Sequence, residues 1–315
     1  MVSWIVGSAI AIALYILMYY NFLKGVPCRS DTSLKGKTAI VTGANTGLGK
    51  ATALDFARRG ARVILACRSK ERAEPAIFDI RKKSGNNQVI YMHLDLASLK
   101  SVRAFAETFL RSEPQLHLLI NNAGTGSSGQ TVDGFNIALG VNHLGHFLLT
   151  NLLLERLKQC APSRIVVLSS LAYCLSRIDF SNLSITDGGL IREVQKYCLS
   201  KLCNILFARE LANRLEGTNV TSYVVHPGFV FTDVFRDLGL LAKLVFVPIA
   251  FLFFQTPVDG AQTTIYCAVQ EGIEKFSGRY FADCKVRKVF PHARDDAVAK
   301  KLWEVSERMV GLCRH

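Results

Sequence analysis

The apolar run Thr38-Ala39-Ile40-Val41 passes directly into Thr42-Gly43-Ala44-Asn45-Thr46-Gly47-Leu48-Gly49-Lys50 and then into the helical pattern Ala51-Thr52-Ala53-Leu54-Asp55-Phe56-Ala57. A strand, a glycine turn and a helix in that order admit few folds, because small residues let backbone N–H groups and a helix N-terminus close on an anion. The spacing G-x3-G-x-G is weak on its own, since glycine-rich turns also occur without a ligand. It excludes a phosphate-loop ATPase, which needs glycine at position 44 and Ser or Thr at 51, where this chain has Ala44 and Ala51. A dinucleotide is the ligand that fits.

Around this turn, strand-like runs at 38–42, 62–66, 88–93, 116–121, 164–169 and 220–225 alternate with helix-period segments near 47–59, 70–83, 98–112, 133–159 and 193–216. Such alternation predicts an α/β fold, a doubly wound parallel sheet of Rossmann type with helices on both faces. A chain of 315 residues suits one such domain, here residues 36–300, with 301–315 as a tail helix. No internal repeat or low-complexity tract interrupts it.

The formal charge of +13 is spread without a concentrated run or an aromatic-interleaved stripe, which argues against nucleic acid as a partner. An anionic membrane face and a phosphate-bearing cofactor account for it. The nine cysteines are odd in number, scattered and without a C-x-x-C pair, as expected of reduced, buried thiols. Cys198 and Cys203 are read as packing residues. His143 and His146 have a spacing that can bind metal, but no third and fourth ligands cluster nearby, so no metal site is expected.

Residues Trp4 to Leu23 carry no charge, and as a helix at about 1.5 Å per residue they span about 30 Å, the thickness of a bilayer core. Residues 1–23 therefore read as an N-terminal membrane anchor, followed by a linker at 24–35. A cleaved signal peptide is the alternative, disfavoured by the missing basic n-region and by Tyr15, Tyr19 and Tyr20, which suit a membrane interface. Lys24, Arg29, Lys35 and Lys37 follow the span, so the positive-inside rule places the domain in the cytosol. The acceptors Asn182-Leu183-Ser184 and Asn219-Val220-Thr221 test that orientation. Leu238 to Phe254 is also overwhelmingly apolar, with Lys243 and Pro248 inside it. It reads as a substrate lid that touches the bilayer, with a buried core segment or a short, kinked span as alternatives. Thr256-Pro257 then reads as an N-cap and first helical residue.

Tyr197 and Lys201 are four apart in a helical pattern and share a face. An ammonium beside a phenol favours the phenolate, and a shift of about three units corresponds to about 4 kcal/mol. Lys201 is therefore expected to bring Tyr197 toward neutral pH as an acid/base. Val166-Val167-Leu168-Ser169-Ser170 is a buried strand ending in hydroxyls at the edge where open α/β sheets bind ligands, so Ser170 is placed to bond a substrate oxygen. A free 2′-hydroxyl usually meets an acidic residue about 20 positions past the glycines, but Cys67-Arg68 stands there. Arg68 would pair with a 2′-phosphate, which favours NADP(H).

With Thr42-Gly43-x3-Gly47-x-Gly49, Asp95-Leu96, Asn121-Asn122-Ala123-Gly124, Asn142, Ser170, Tyr197-x3-Lys201 and His226-Pro227-Gly228 in this order, residues 36 to about 300 resemble a short-chain dehydrogenase/reductase. Ala66-Cys67-Arg68-Ser69, Gly140-Val141-Asn142-His143-Leu144-Gly145-His146-Phe147 and Ala208-Arg209-Glu210-Leu211 narrow the resemblance to the microsomal retinol dehydrogenase branch and proteins similar to it. The resemblance implies Tyr197 as general acid/base, Lys201 as its partner and ribose ligand, Ser170 as the carbonyl-orienting donor, and Asn142 as holder of a proton-relay water. Cofactor contacts are implied at Gly43, Asn45, Thr46, Gly47, Leu48 and Gly49. They extend to Arg68, to Asp95 and Leu96 at the adenine, to Asn122, Ala123 and Gly124, and to Pro227, Gly228, Val230 and Thr232 toward the nicotinamide. For Asp95, capping of the helix from Ser98 is the alternative.

The branch further implies a lipophilic alcohol or its carbonyl as substrate, an endoplasmic reticulum membrane, and a homodimer through the helices around 133–159 and 193–216. NADPH is kept largely reduced in the cytosol, which favours reduction as the direction. Thr125-Gly126-Ser127-Ser128-Gly129 departs from the branch by replacing a bulkier apolar pair after Gly124, and the interval from Ser170 to Tyr197 is long, so retinal specificity is open. A lipid aldehyde or a steroid ketone fits the same physics. A catalytically silent, membrane-tethered scaffold is the rival from another class, because fold alone does not establish activity.

Overall fold

The computed structural model describes residues 24–181, 183, 190–228, 230 and 255–312. The expected anchor at 1–23, the segment 238–254 and Thr232 lie outside the described residues. β1 (Thr38–Thr42), β2 (Arg62–Cys67), β3 (Val89–His93), β4 (Leu118–Asn121), β5 (Ser163–Leu168), β6 (Val220–Val225), β7 (Tyr280–Ala282) and β8 (Lys285–Arg287) form one sheet in the order β3-β2-β1-β4-β5-β6-β7-β8. All neighbouring pairs are parallel except β7 with β8. The helices are α1 (Gly47–Arg58), α2 (Lys70–Ser84), α3 (Leu99–Ser112), α4 (Ile137–Gln159), α5 (Leu190–Arg214), α6 (Gln262–Val269) and α7 (Asp296–Met309). This is the doubly wound Rossmann fold.

Alternation along each strand builds two cores, because successive side chains face opposite sides of a sheet and both sides are covered. Ile40, Ile64, Leu119, Ile165 and Val167 face α3, α4 and α5, joined by Phe109, Phe147 and Phe207. Ala39, Val41, Val63, Leu65, Ile120 and Val166 face α1, α2 and α6. Strand order reverses between β1 and β4, where Val41 pairs with Leu65 on one side and Ile120 on the other. A crevice opens at the carboxyl ends of strands on either side of such a reversal.

The strands lie within a residue or two of their expected positions. α4 starts at Ile137 rather than near 133 because the Asn136 side chain caps it, accepting from Ala138 N and Leu139 N at 3.0 and 3.2 Å. Gly140–Leu144 forms one π-helical turn within α4. α4 is long and apolar enough to cross a bilayer, yet most of it is buried between sheet and neighbouring helices, which makes it a core helix. α7 begins at Asp296, ahead of the expected tail boundary, with Asp295 accepting from Val298 N at 3.0 Å. It belongs to the core: Trp303 stands edge-on to Phe147 with ring centres 4.8 Å apart, and Arg209 is paired with Asp296 at 2.6 Å.

The segment ahead of β1 runs along the outside of α1. Arg59 donates to Thr32 O at 3.1 Å, Cys28 N donates to the Gln262 side chain at 2.9 Å, and Cys284 Sγ donates to Val26 O at 3.2 Å. At its start, a Cβ on Gly25 would lie 2.9 Å from Asp259 O and 3.3 Å from Gln255 Oε1. Thr256 caps the single turn Pro257–Gly260, accepting from Asp259 N at 3.2 Å, as its sequence suggested.

Candidate active site

The glycines after β1 serve different needs. Gly43 has φ +64°, and a Cβ there would lie 3.0 Å from both Cα and Cβ of Ala123. A Cβ on Gly49 would meet Asn122 Nδ2 at 2.5 Å, whereas one on Gly47 would enter open space. β1 and β4 are thus drawn together beneath a turn whose outer face is open. Asn122 Nδ2 donates to Thr42 O at 2.7 Å, and Thr42 Oγ1 accepts from the amides of Asn122 and Ala123 at 2.9 Å each. α1 begins after Thr46 with no side-chain cap and no acidic residue in its first turn. Its N-terminus is therefore an anion cradle. Asn45, Thr46, Gly47 and Leu48 are half-buried along this turn.

The Cys67 thiol lies within reach of the Ala44 and Asn45 amides, and burial pushes it up to about 11. That contact brings the end of β2 beside the turn, with Arg68 exposed. Asp95 does not cap α3. Ser98 does, accepting from Ser101 N at 3.2 Å, while Asp95 closes its own turn by accepting from Ala97 N at 3.0 Å. Leu96 is buried with its carbonyl against Gly145, where a Cβ would lie 2.7 Å away. At the far side Gly228 has φ +85° beside the Gln255 amide, Pro227 O backs onto Gly260, and Val230 bridges to Gln255.

Catalytic candidates converge across the same crevice. Lys201, on the buried face of α5, points its ammonium over the Tyr197 ring, 5.4 Å from the ring centre, and at Leu168 O, 3.5 Å away. Two contacts clip α5 to the end of β5: Ser169 Oγ donates to Lys201 O at 2.7 Å and Asn204 Nδ2 to Leu168 O at 2.9 Å. Ser170 accepts from Ala172 N at 3.2 Å, and its hydroxyl hydrogen-bonds the Tyr197 phenol. A Cβ on Gly124 would lie 3.3 Å from Lys201 Nζ and 3.4 Å from Asn142 Oδ1, which places the end of β4 against this group.

Asn142 is fully buried, and its side chain is occupied. Oδ1 accepts from Thr125 N at 2.8 Å, while Nδ2 donates to Thr125 O at 3.0 Å and Ser200 Oγ at 2.9 Å. Ser200 in turn donates to Tyr197 O at 2.7 Å. Ser200 was not singled out from the sequence, and Thr125 was noted only as part of the loop after Gly124, not as a partner of Asn142. Ser200 directly precedes Lys201 in α5, and that adjacency was the available signal.

Tyr197 departs from its expected titration. Burial raises its pKa above the ordinary phenol value, with the Ser170 hydrogen bond opposing, and burial also lowers Lys201 to about 8. Removal from water penalises phenolate and ammonium alike. Tyr197 is consequently a protonated phenol at neutral pH. His143 and His146 diverge: the first reaches Ser306 Oγ at 2.9 Å, the second Thr42 Oγ1 at 2.8 Å. Cys198 and Cys203 are buried, and burial raises both thiols, Cys203 to about 12.

A glycine-lined anion cradle at a topological switch point, facing a Ser, a Tyr and a Lys on the next strand and helix, defines a dinucleotide-dependent oxidoreductase. A family model described as short chain dehydrogenase matches residues 37–240, and the chain belongs to that family. It is 55% identical over 313 residues to human Dehydrogenase/reductase SDR family member 13, covering 99% of this chain and 83% of that protein. It is 52% identical over 290 residues to mouse Retinol dehydrogenase 11, covering 90% of each. Among solved structures, a protein from Mycobacterium Paratuberculosis is 33% identical, with a TM-score of 0.71 over 91% of this chain and 96% of that one.

Proposed function

We propose that the protein is a membrane-associated, NADP(H)-dependent oxidoreductase that interconverts a lipophilic alcohol and its carbonyl, with retinol and retinal as the favoured pair. The convergence of Ser170, Tyr197 and Lys201 at the mouth of the glycine cradle carries this reading. The residues fit a dinucleotide: the open space over Gly47 and the uncapped start of α1 suit a pyrophosphate, held by Gly43, Asn45, Thr46, Gly47, Leu48 and Gly49. Arg68 would take the 2′-phosphate; among the described residues no carboxylate or hydrogen-bond partner engages it. Asp95 and Leu96 would border the adenine. Asn122, Ala123, Gly124, Tyr197 and Lys201 would border the ribose, and Pro227, Gly228 and Val230 the nicotinamide, with Thr232 carried by family resemblance.

When bound, the nicotinamide supplies the hydride in reduction and accepts it in oxidation. Tyr197 Oη, kept protonated by burial, gives its proton to the developing alkoxide. Ser170, which accepts from Ala172 N–H, would turn the O–H it now gives to Tyr197 toward the same oxygen as substrate enters. Lys201 balances the charge on Tyr197 as the proton leaves. A cleft that holds the phenol protonated suits reduction.

The apolar run from Trp4 to Leu23 supports membrane association, and the basic residues after it support a cytosolic domain on the endoplasmic reticulum. The name of the mouse relative, Retinol dehydrogenase 11, favours a retinoid, and that of the human relative, Dehydrogenase/reductase SDR family member 13, gives only the reaction class. The Thr125–Gly129 loop, tied to Asn142 through Thr125, favours keeping lipid aldehydes and steroid ketones in view. Helices α4 and α5 are the proposed homodimer face. NADPH oxidation by detergent-extracted full-length protein with all-trans-retinal, medium-chain aldehydes and steroid ketones tests the reading. Turnover that vanishes in Tyr197→Phe is expected; NADPH binding without turnover of any of them would favour a silent scaffold.

A further inference from the structure

We propose that His146 is a positioning residue that ties the cofactor turn to the catalytic Asn142 through a directed hydrogen-bond chain. This rests on the reading of the cleft as a dinucleotide site. His146 is fully buried; its Nδ1 lies 3.1 Å from Asn142 O, one helical turn back, and its Nε2 lies 2.8 Å from Thr42 Oγ1. A carbonyl only accepts, so Nδ1 carries the hydrogen. In a neutral imidazole Nε2 then accepts, and the Thr42 hydroxyl donates to it. Burial, which lowers the ring's pKa to about 4, keeps it neutral at physiological pH.

The remaining capacity of Thr42 Oγ1 completes the chain. It accepts the amides of Asn122 and Ala123 at 2.9 Å each, and its one proton has a shorter path to His146 than to Ile120 O at 3.3 Å. The chain therefore runs from the end of β4, through the residue that opens the glycine turn, to the carbonyl of Asn142. Asn122 and Ala123 are the groups against which Gly49 and Gly43 are pressed. Asn142 O sits in the π-helical turn, where the Gly145 amide bonds five residues back to Gly140 O and α4 is locally widened. His146 thus holds two parts of the site without touching substrate or cofactor: the floor of the pyrophosphate turn and the Asn142 carbonyl.

The two ring nitrogens can be separated by substitution. Asn places an amide donor near the Nδ1 position and cannot reach Thr42; Gln places an acceptor near Nε2 and forgoes the Asn142 carbonyl. Loss of one buried hydrogen bond corresponds to about tenfold. In full-length protein in detergent, His146→Asn is expected to raise the Kd for NADPH, read by its fluorescence, about tenfold while kcat with all-trans-retinal stays within about twofold. His146→Gln is expected to leave that Kd unchanged and lower kcat about tenfold. Selective 15N-histidine NMR of the wild-type apoprotein should show His146 with a protonated Nδ1 and a bare Nε2, assigned by the signal lost in the variants.

Equal shifts of both parameters in both variants would mean general loosening and overturn the proposal, as would wild-type affinity in His146→Asn or a protonated Nε2. Wild-type protein that binds NADPH but reduces no retinal defeats the retinoid reading instead, and the affinity and the tautomer still decide the role of His146.

Discussion

The Lys201 ammonium lies over the Tyr197 ring, 5.4 Å from its centre, and both groups are kept closer to neutral than free side chains by burial. Reduction needs the Tyr197 proton and the Lys201 charge together. Lys201 titrates at about 8, so kcat/KM for carbonyl reduction should be level below about pH 7.5 and fall as the pH rises through about 8. Lys201→Met should remove that limb and lower the plateau by about 100-fold or more. A profile level to pH 10 would take Lys201 out of the reaction.

Arg68→Ala should weaken NADPH binding about 10- to 100-fold, the worth of a charge-assisted bond to phosphate, and leave NADH binding within about twofold. Fluorescence titration with the two cofactors reads the difference. Equal losses for both would mean that Arg68 supports the turn rather than the 2′-phosphate.

Burial depresses His143 to about 3 and His146 to about 4, below the ordinary 6.5 of an unfolded histidine. Below about pH 6.5 the unfolded chain therefore binds the extra protons, so stability present above that pH is lost as the pH falls toward the folded values. Between pH 7 and pH 5 each ring should cost about 2 kcal/mol. Thermal melts in detergent at the two pH values check this, and superimposable melts would contradict it.

Trp303 packs against both Phe147 and Phe207, with the Arg214 guanidinium 4.3 Å above its ring. Trp303→Ala should destabilise the protein by about 3–5 kcal/mol while the folded fraction still binds NADPH normally. A change in melting below about 1 kcal/mol would show that α7 is dispensable to the core.

Much of this site was legible because its chemistry is local. Gly43, Gly47 and Gly49 are required by turn geometry within a few residues, and Tyr197 with Lys201 by one turn of helix. β7 and β8 escaped notice because three-residue strands such as Tyr280–Ala282 carry no period. The contacts of Thr125 and Ser200 with Asn142, and of His146 with Thr42, depend on neighbours distant in sequence. The Tyr197 titration was misjudged because spacing reveals a nearby charge and says nothing about how much water surrounds it.

The segment ahead of β1 reverses the usual geography of such a chain. β1 starts at the amino edge of the sheet, yet the strap along α1 carries the backbone to the opposite edge, where Gly25 and Gly228 press on the same Gln255 amide. The chain therefore enters the domain at the doorway of the cleft rather than at its back. A reporter attached at the linker, around Lys24, will report on, and interfere with, traffic through that doorway, whereas a label on an exposed residue of α2, such as Phe78, will not.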